Sequence, residues 1–158
     1  DEVYQLMLGG NDAVAYFAAG KPVAGRSDVK TLHHGLAYRF TSEESRRQFV
    51  TNPERYAPQF GGFCAQAMAY AVPAPTDADT FKIIDGRLYL FASARARLYF
   101  EMDQARNLKL AWHYWETEVD GSSWRLQSWK RLWFHVPEYK SDAELAREYE
   151  RRFGKQPS

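Results

Sequence analysis

Two pairs of short apolar runs, each joined by a two-residue turn signal, constrain the fold of this chain more than any other feature. A turn dipeptide between two short runs of alternating or apolar residues is typical of a β-hairpin. The runs are residues 29–33 with 36–40 and residues 81–84 with 88–91, joined by His34-Gly35 and Asp85-Gly86. The pattern therefore predicts two separate antiparallel hairpins.

Helix-start signals follow both hairpins and recur near the C-terminus. Thr41 with Glu44 forms a capping-box pattern, and Ser93 is a candidate N-cap after the second hairpin. Ser141 with Glu144 forms another capping-box pattern before a helix with an apolar face. We expect an α+β fold in which small antiparallel hairpins pack with short helices, followed by a helical C-terminal extension. No internal repeat is expected.

Composition excludes several classes of protein. The 158 residues fit one domain of ordinary size, and 16% of them are aromatic, so rings must form much of the core. The formal net charge of +1 gives no reason to expect nucleic acid as a partner. A single cysteine excludes an intrachain disulfide, and no apolar run is long enough to predict a transmembrane segment.

The C-terminal part of the sequence differs in composition from the rest. We expect a domain over residues 1–118 and a helical, tryptophan-rich extension over 119–158 that docks on it. In the extension, Trp124, Trp129 and Trp133 alternate with Arg125 and with basic residues 130 and 131. We expect these tryptophans to pack internally or in a homodimer or other protein interface, and a membrane-surface helix is the alternative.

Three ordered blocks of the sequence resemble the YHS domain family. The blocks are residues 11–17 (NDAVAYF), 53–65 (PERYAPQFGGFCA) and 84–90 (IDGRLYL). The resemblance extends from about Gly10 to Trp115 and implies a compact α+β domain. In the metal-binding branch of this family, cysteines stand where this sequence has Thr41 and Ser45.

The resemblance also implies a location and a class of ligand. Family members are often exported bacterial proteins linked to heavy-metal handling. The resemblance therefore implies a periplasmic or otherwise exported protein. The chain opens at Asp1 rather than at a methionine, which fits cleavage of a signal peptide and equally fits an N-terminus shortened in another way.

The residues themselves indicate a soft-metal site around Cys64. A thiol at the start of a helix is stabilised as thiolate, and Met68 one turn later would add a thioether, a pair that selects Cu(I). His33 and His34 are candidate further ligands. The competing interpretation is that Cys64 is a small buried residue and Met68 fills core space.

A binding function is preferred to an enzymatic one. No nucleophile elbow, phosphate loop or zinc-protease motif is present in the sequence. Besides copper binding or metal-linked sensing at Cys64, the alternatives are a protein-interaction module that uses the aromatic tail and a small-molecule pocket. The candidate pocket residues are Tyr16, Tyr56 and Phe63.

Overall fold

The computed structural model describes residues 4–158 and confirms the α+β class. The strands are β1 (Arg26–His33), β2 (Leu36–Phe40), β3 (Asp77–Ile84) and β4 (Arg87–Phe91). The helices are α1 (Ala15–Ala18), α2 (Glu43–Thr51), α3 (Pro53–Tyr56), α4 (Ala65–Met68), α5 (Ala94–Met102), α6 (Gln104–Tyr114), α7 (Trp124–Trp133) and α8 (Asp142–Phe153). Short 3₁₀ turns occupy Met7–Gly10 and Gln59–Gly62, and a π-helical turn occupies Trp115–Val119. Within residues 4–158 no helix meets the length and apolarity that a membrane span needs.

The two hairpins form two separate antiparallel sheets, as the turn signals predict. In the first, His33 pairs with Leu36, so the turn consists of His34 and Gly35 alone. Both turn residues have positive φ, 50° and 73°, which is the geometry of a type I′ turn. The side chains at the end of β1 are therefore held at a tight corner.

The chain consists of two compact units. The first comprises the described residues up to Gly62 together with Asp77–Leu90, and the second comprises Phe63–Thr76 and Phe91–Ser158. Residues 119–158 share the second unit with α4, α5 and α6. The boundary expected at residue 118 falls inside the π-helical turn that follows α6, and a separate domain over 119–158 stays a prediction.

Aromatic rings build much of the core of the first unit. Tyr38 and Phe40 on β2 lie against Phe49 of α2, with ring centroids 4.6 and 5.2 Å from it. Tyr16 of α1 meets Phe81 of β3 edge to face at 5.0 Å. The high aromatic content of the sequence thus supplies the interior that two short hairpins and short helices require.

The C-terminal helix forms as predicted. The capping box of Ser141 and Glu144 is present in both directions, so two orphan backbone amides at the start of α8 are satisfied. Leu145 and Tyr149 are buried against Tyr99, whose hydroxyl donates to Asp142 at 3.1 Å. These contacts hold α8 on α5 within the second unit.

The helix after the first hairpin begins one residue later than the sequence predicted. Ser42, rather than Thr41, is the N-cap of α2, and its hydroxyl accepts from the amide of Ser45 at 3.1 Å. Thr41 is occupied elsewhere, because both its amide and its hydroxyl donate to the carboxylate of Asp12.

Helix α7 turns its polar face, not its apolar face, toward the rest of the second unit. Its buried residues are Gln127 and Arg131, whereas Trp124, Trp129 and Trp133 are 53%, 62% and 67% exposed. The first part of the prediction, that these tryptophans pack inside the chain, is therefore wrong, and the second part, that they pack in a homodimer or other protein interface, stays a prediction. Polar contacts within the second unit bury the polar face of α7 and leave its apolar face in solvent.

An internal structural repeat contradicts the expectation that the chain has none. A Gly-Gly turn, a four-residue helix, a hairpin and a serine-capped helix occur in this order twice. Strands β1 and β3 both have eight residues, β2 and β4 both have five, and α2 and α5 both have nine. The repeat has two halves, residues 7–51 and residues 59–102. Each half contains the same succession of elements with the same lengths.

The turn that opens each half has the same backbone geometry. Leu8 and Phe60 adopt φ values of 60° and 58°, in the left-handed region. Gly10 and Gly62 follow at 86° and 84°, a conformation that is strained for any residue with a Cβ. At Gly62 a Cβ would also lie 2.8 Å from the sulfur of Met7. The repeat is therefore clearest in the backbone and in its glycines.

The carboxylate of Asp12 holds the first half together. It is fully buried and accepts from the amide of Val14 at 2.9 Å, the amide and hydroxyl of Thr41 at 2.9 and 2.8 Å, and the hydroxyl of Ser45 at 2.6 Å. One side chain thereby ties the start of α1 to the end of β2 and the first turn of α2.

We expect replacement of Asp12 by alanine to destabilise the protein strongly. Four donors would lose their acceptor in a site without solvent, which costs about 3 kcal/mol or more of the free energy of unfolding. Urea denaturation measures this loss. The control Asp28→Ala removes an exposed carboxylate and should leave the free energy of unfolding almost unchanged. A loss below about 1 kcal/mol for Asp12→Ala would contradict the assigned role.

Candidate metal centre

Two imidazoles and one carboxylate converge at the end of the first hairpin. The Nε2 atoms of His33 and His34 each lie 3.3 Å from Oε1 of Glu54. Taking one ligand atom from each side chain, the three atoms all lie within 4.8 Å of one another. The cluster thus presents three donors of the kinds that bind transition metals.

His33 is held in place by the aromatic core. It is the last residue of β1, and its ring meets Phe49 edge to face at 5.7 Å and lies 6.2 Å from Tyr38. Its side chain is only 16% exposed. The packing fixes the ring while Nε2 stays directed toward Glu54.

His34 and Glu54 complete the cluster from the solvent side. His34 is the first turn residue, and its ring centroid lies 4.0 Å from that of His33. Glu54 follows Pro53, which opens the short helix α3. The side chains of His34 and Glu54 are 75% and 76% exposed, so an ion can reach them without any rearrangement of the core.

Electrostatics keep His33 in the form that binds metal. Burial lowers the pKa of His33, and the neighbouring charge of His34 lowers it further, while Glu54 opposes both effects. With a pKa below the ordinary value of 6.5, His33 is neutral at pH 7. A neutral imidazole nitrogen has the lone pair that a metal requires.

The structure places Cys64 as the residue before α4 and buries it completely. Only 1% of the residue is exposed, and its backbone carbonyl accepts from the amide of Met68 at 2.9 Å. Met68 is fully buried as well. The two residues therefore share one helical turn, as the sequence predicted, but neither reaches solvent.

Burial raises the pKa of the Cys64 thiol, the opposite of the shift expected from its place near a helix start. Backbone amides of Gln66, Ala67 and Ala92 lower it only in part. At neutral pH the side chain is a thiol, whereas a metal ligand must be a thiolate. Metal binding by Cys64 stays a prediction that these surroundings do not favour.

Cys64 occupies the place in the second half that Asp12 occupies in the first. Asp12 follows Gly10 by two residues and Cys64 follows Gly62 by two. The carboxylate of Asp12 accepts from the residue after β2, and the thiol of Cys64 faces the amide of Ala92, the residue after β4. This correspondence favours a structural role for Cys64.

The two positions that resemble the family's metal-binding cysteines serve the core instead. The hydroxyls of Thr41 and Ser45 both donate to Asp12, at 2.8 and 2.6 Å. Each hydroxyl is thus occupied in an internal hydrogen bond. The structure assigns these two residues to the support of the hairpin.

The predicted aromatic pocket residues have different surroundings. Tyr16 is fully buried, burial raises the pKa of its hydroxyl, and that hydroxyl donates to the carbonyl of Ala78 at 2.6 Å. Tyr56 is half-buried and lines an open groove of about 510 Å³ on α2 and α3, whereas Tyr16 and Phe63 do not line it. Phe63 is half-buried in the second unit. A ligand pocket formed by these three residues stays a prediction.

Glu54 is the site residue that sequence reasoning missed. It is separated from His34 by 20 positions, and a carboxylate at the start of a short helix has no pattern that links it to a hairpin turn. The correspondence of Cys64 with Asp12, in contrast, is visible in the sequence. Residues 8–13 (LGGNDA) and 60–65 (FGGFCA) share the glycine pair and the final alanine, and aligning them places Cys64 opposite Asp12.

We expect Cys64 to be unreactive in the folded protein. Its burial and raised pKa together withhold the thiolate, so dithiobis(nitrobenzoate) should modify the native protein far more slowly than protein unfolded in guanidinium. Absorbance of the released thiolate measures both rates. Rapid, stoichiometric modification of the native protein at pH 7 would contradict the structural assignment.

Comparison of the chain with protein-family models, with curated proteins and with solved structures gives no match. The YHS resemblance therefore stays a prediction.

Proposed function

We propose that this protein is a non-enzymatic metal-binding protein whose site consists of His33, His34 and Glu54. The supporting observation is the convergence of two imidazole Nε2 atoms and a carboxylate oxygen within 4.8 Å. The ligand is a borderline divalent ion such as Zn²⁺ or Cu²⁺, because imidazole suits both of these metals.

Two of the three distances between donor atoms suit a metal of this kind, and the third lies within 4.8 Å. Ligand atoms about 2.1 Å from a tetrahedral ion lie about 3.4 Å from each other. Each imidazole Nε2 is 3.3 Å from the carboxylate oxygen of Glu54. An ion could bind between these atoms with small adjustments of exposed side chains.

The donor set differs from the soft Cu(I) site that the sequence predicted. Cys64 and Met68 are buried, and the Cys64 thiol has a raised pKa. His33 and His34 are candidate ligands in both hypotheses. The oxygen of Glu54 takes the place of the sulfur ligands of Cys64 and Met68. A carboxylate with two imidazoles favours Zn²⁺ or Cu²⁺ over Cu(I).

Substitution of the exposed ligands tests the proposal without endangering the fold. His34→Gln and Glu54→Gln should each lower the affinity for Zn²⁺ about 100-fold or more, since even loss of a residue that only supports a ligand costs 10- to 100-fold. Competition against a chromophoric chelator measures the affinity, and thermal unfolding confirms that each variant is folded.

Two control variants make this test specific. His113→Gln removes an exposed histidine in the second unit, and Cys64→Ser removes the thiol. Both should bind Zn²⁺ as the wild type does. Equal affinity of wild type, His34→Gln and Glu54→Gln would contradict the proposed site, and a loss confined to Cys64→Ser would favour the thiol instead.

A further inference from the structure

Helix α7 buries polar residues and exposes apolar ones. Gln127 donates from Nε2 to the carbonyl of Ala71 at 2.9 Å and to Glu118 at 3.3 Å, and Arg131 donates to the same carboxylate. Although burial opposes it, hydrogen bonds from Arg131 and Gln127 hold the pKa of Glu118 below its ordinary value. These contacts fix which face of α7 is turned inward.

The outward face of α7 is a large apolar surface with no cover in the described chain. We name this surface the tryptophan face. Its members and their exposed fractions are Leu126 (70%), Trp129 (62%), Leu132 (68%) and Trp133 (67%), while Trp124 (53%) and Phe134 (66%) are exposed at the two ends of the helix. Contiguous exposed aromatic and aliphatic side chains of this kind mark a surface that binds a partner.

The exposed charges that α7 itself carries beside the tryptophan face are positive, and one of them, the ammonium of Lys130, also lies 4.0 Å from the carboxylate of Glu118. With 3.6 residues per turn, Arg125 and Lys130 lie on opposite sides of the ridge formed by Leu126, Trp129 and Trp133. Both cations are exposed, and the guanidinium of Arg125 lies 5.3 Å from the ring of Trp124. Residues 121–137 contain no acidic side chain.

We propose that the tryptophan face of α7 binds the surface of an anionic lipid bilayer. Tryptophan is favoured at the interface between headgroups and acyl chains, and flanking cations extend toward lipid phosphates. A second copy of the chain fits less well, because a symmetric contact would bring Arg125 and Lys130 of both copies toward one another without acidic partners on α7.

Basic side chains supply the exposed charge on α7 itself. Glu118 and Arg131 neutralise each other beneath α7, so neither contributes to its exposed face. The acidic residues Glu116 and Asp120 precede the helix. On α7 itself the exposed charges are Arg125 and Lys130.

Vesicle binding by the purified chain tests this proposal. Vesicles of phosphatidylcholine with and without phosphatidylglycerol are sedimented with protein, and tryptophan emission is recorded. We expect binding and a blue shift with the anionic vesicles only, reversed by high salt. No binding to either vesicle would overturn the proposal.

Two double variants separate the apolar and electrostatic contributions. Trp129→Gln with Trp133→Gln should abolish binding, and Arg125→Gln with Lys130→Gln should lower it about thirty-fold, since each surface cation contributes about 1 kcal/mol. All four side chains are exposed, so the fold should be retained. Binding that is unchanged in both variants would overturn the assignment to α7.

Matched controls and a self-association measurement complete the test. Leu32→Gln with Val50→Gln removes two exposed apolar side chains of the first unit, and Lys109→Gln removes an exposed cation of α6. These variants should bind vesicles as the wild type does, and an equal loss in them would contradict a specific face. Sedimentation equilibrium that shows a tryptophan-dependent dimer without vesicle binding would overturn the proposal in favour of a second copy.

Discussion

The hydrogen bonds to the buried carboxylate of Asp12 are the interaction on which the first half of the chain depends. They join the start of α1 to the end of β2 and the first turn of α2, through Thr41 and Ser45, which lie 29 and 33 positions after Asp12. The same hairpin ends in His33 and His34, and the same helical segment continues into α3 with Glu54. The carboxylate therefore supports both elements that carry the candidate ligands, although it is not itself a ligand.

The structural repeat offers a structural reason for the position of Cys64 that does not require metal binding. Cys64 follows a Gly-Gly turn of the same geometry as the turn before Asp12, and it faces equivalent backbone amides. In the first half those donors meet a carboxylate, and in the second half they meet a thiol whose pKa burial raises. The hydroxyl of Ser45 has no equivalent in the second half, because Ala96 occupies its place in α5.

Local signals predicted the hairpins and the capped helices, because a turn dipeptide or a capping box involves residues a few positions apart. The orientation of α7 could not be predicted in this way. Periodicity identifies an apolar face, but the contact of Gln127 with Ala71, 56 positions away, decides that this face points outward. The place of Glu54 in the site could not be predicted for the same reason, because only the folded chain brings this residue close to the histidines. The repeat was recognisable in principle, but its halves share glycines and backbone conformation more than side chains.

X-ray absorption spectroscopy of the protein loaded with one equivalent of Zn²⁺ tests the central claim most directly, because it identifies the atoms bound to the metal. The account predicts nitrogen and oxygen ligands at about 2.0–2.2 Å, with the outer-shell scattering of two imidazoles. A sulfur ligand at about 2.3 Å would instead place the ion on Cys64 or Met68 and contradict the assignment to His33, His34 and Glu54.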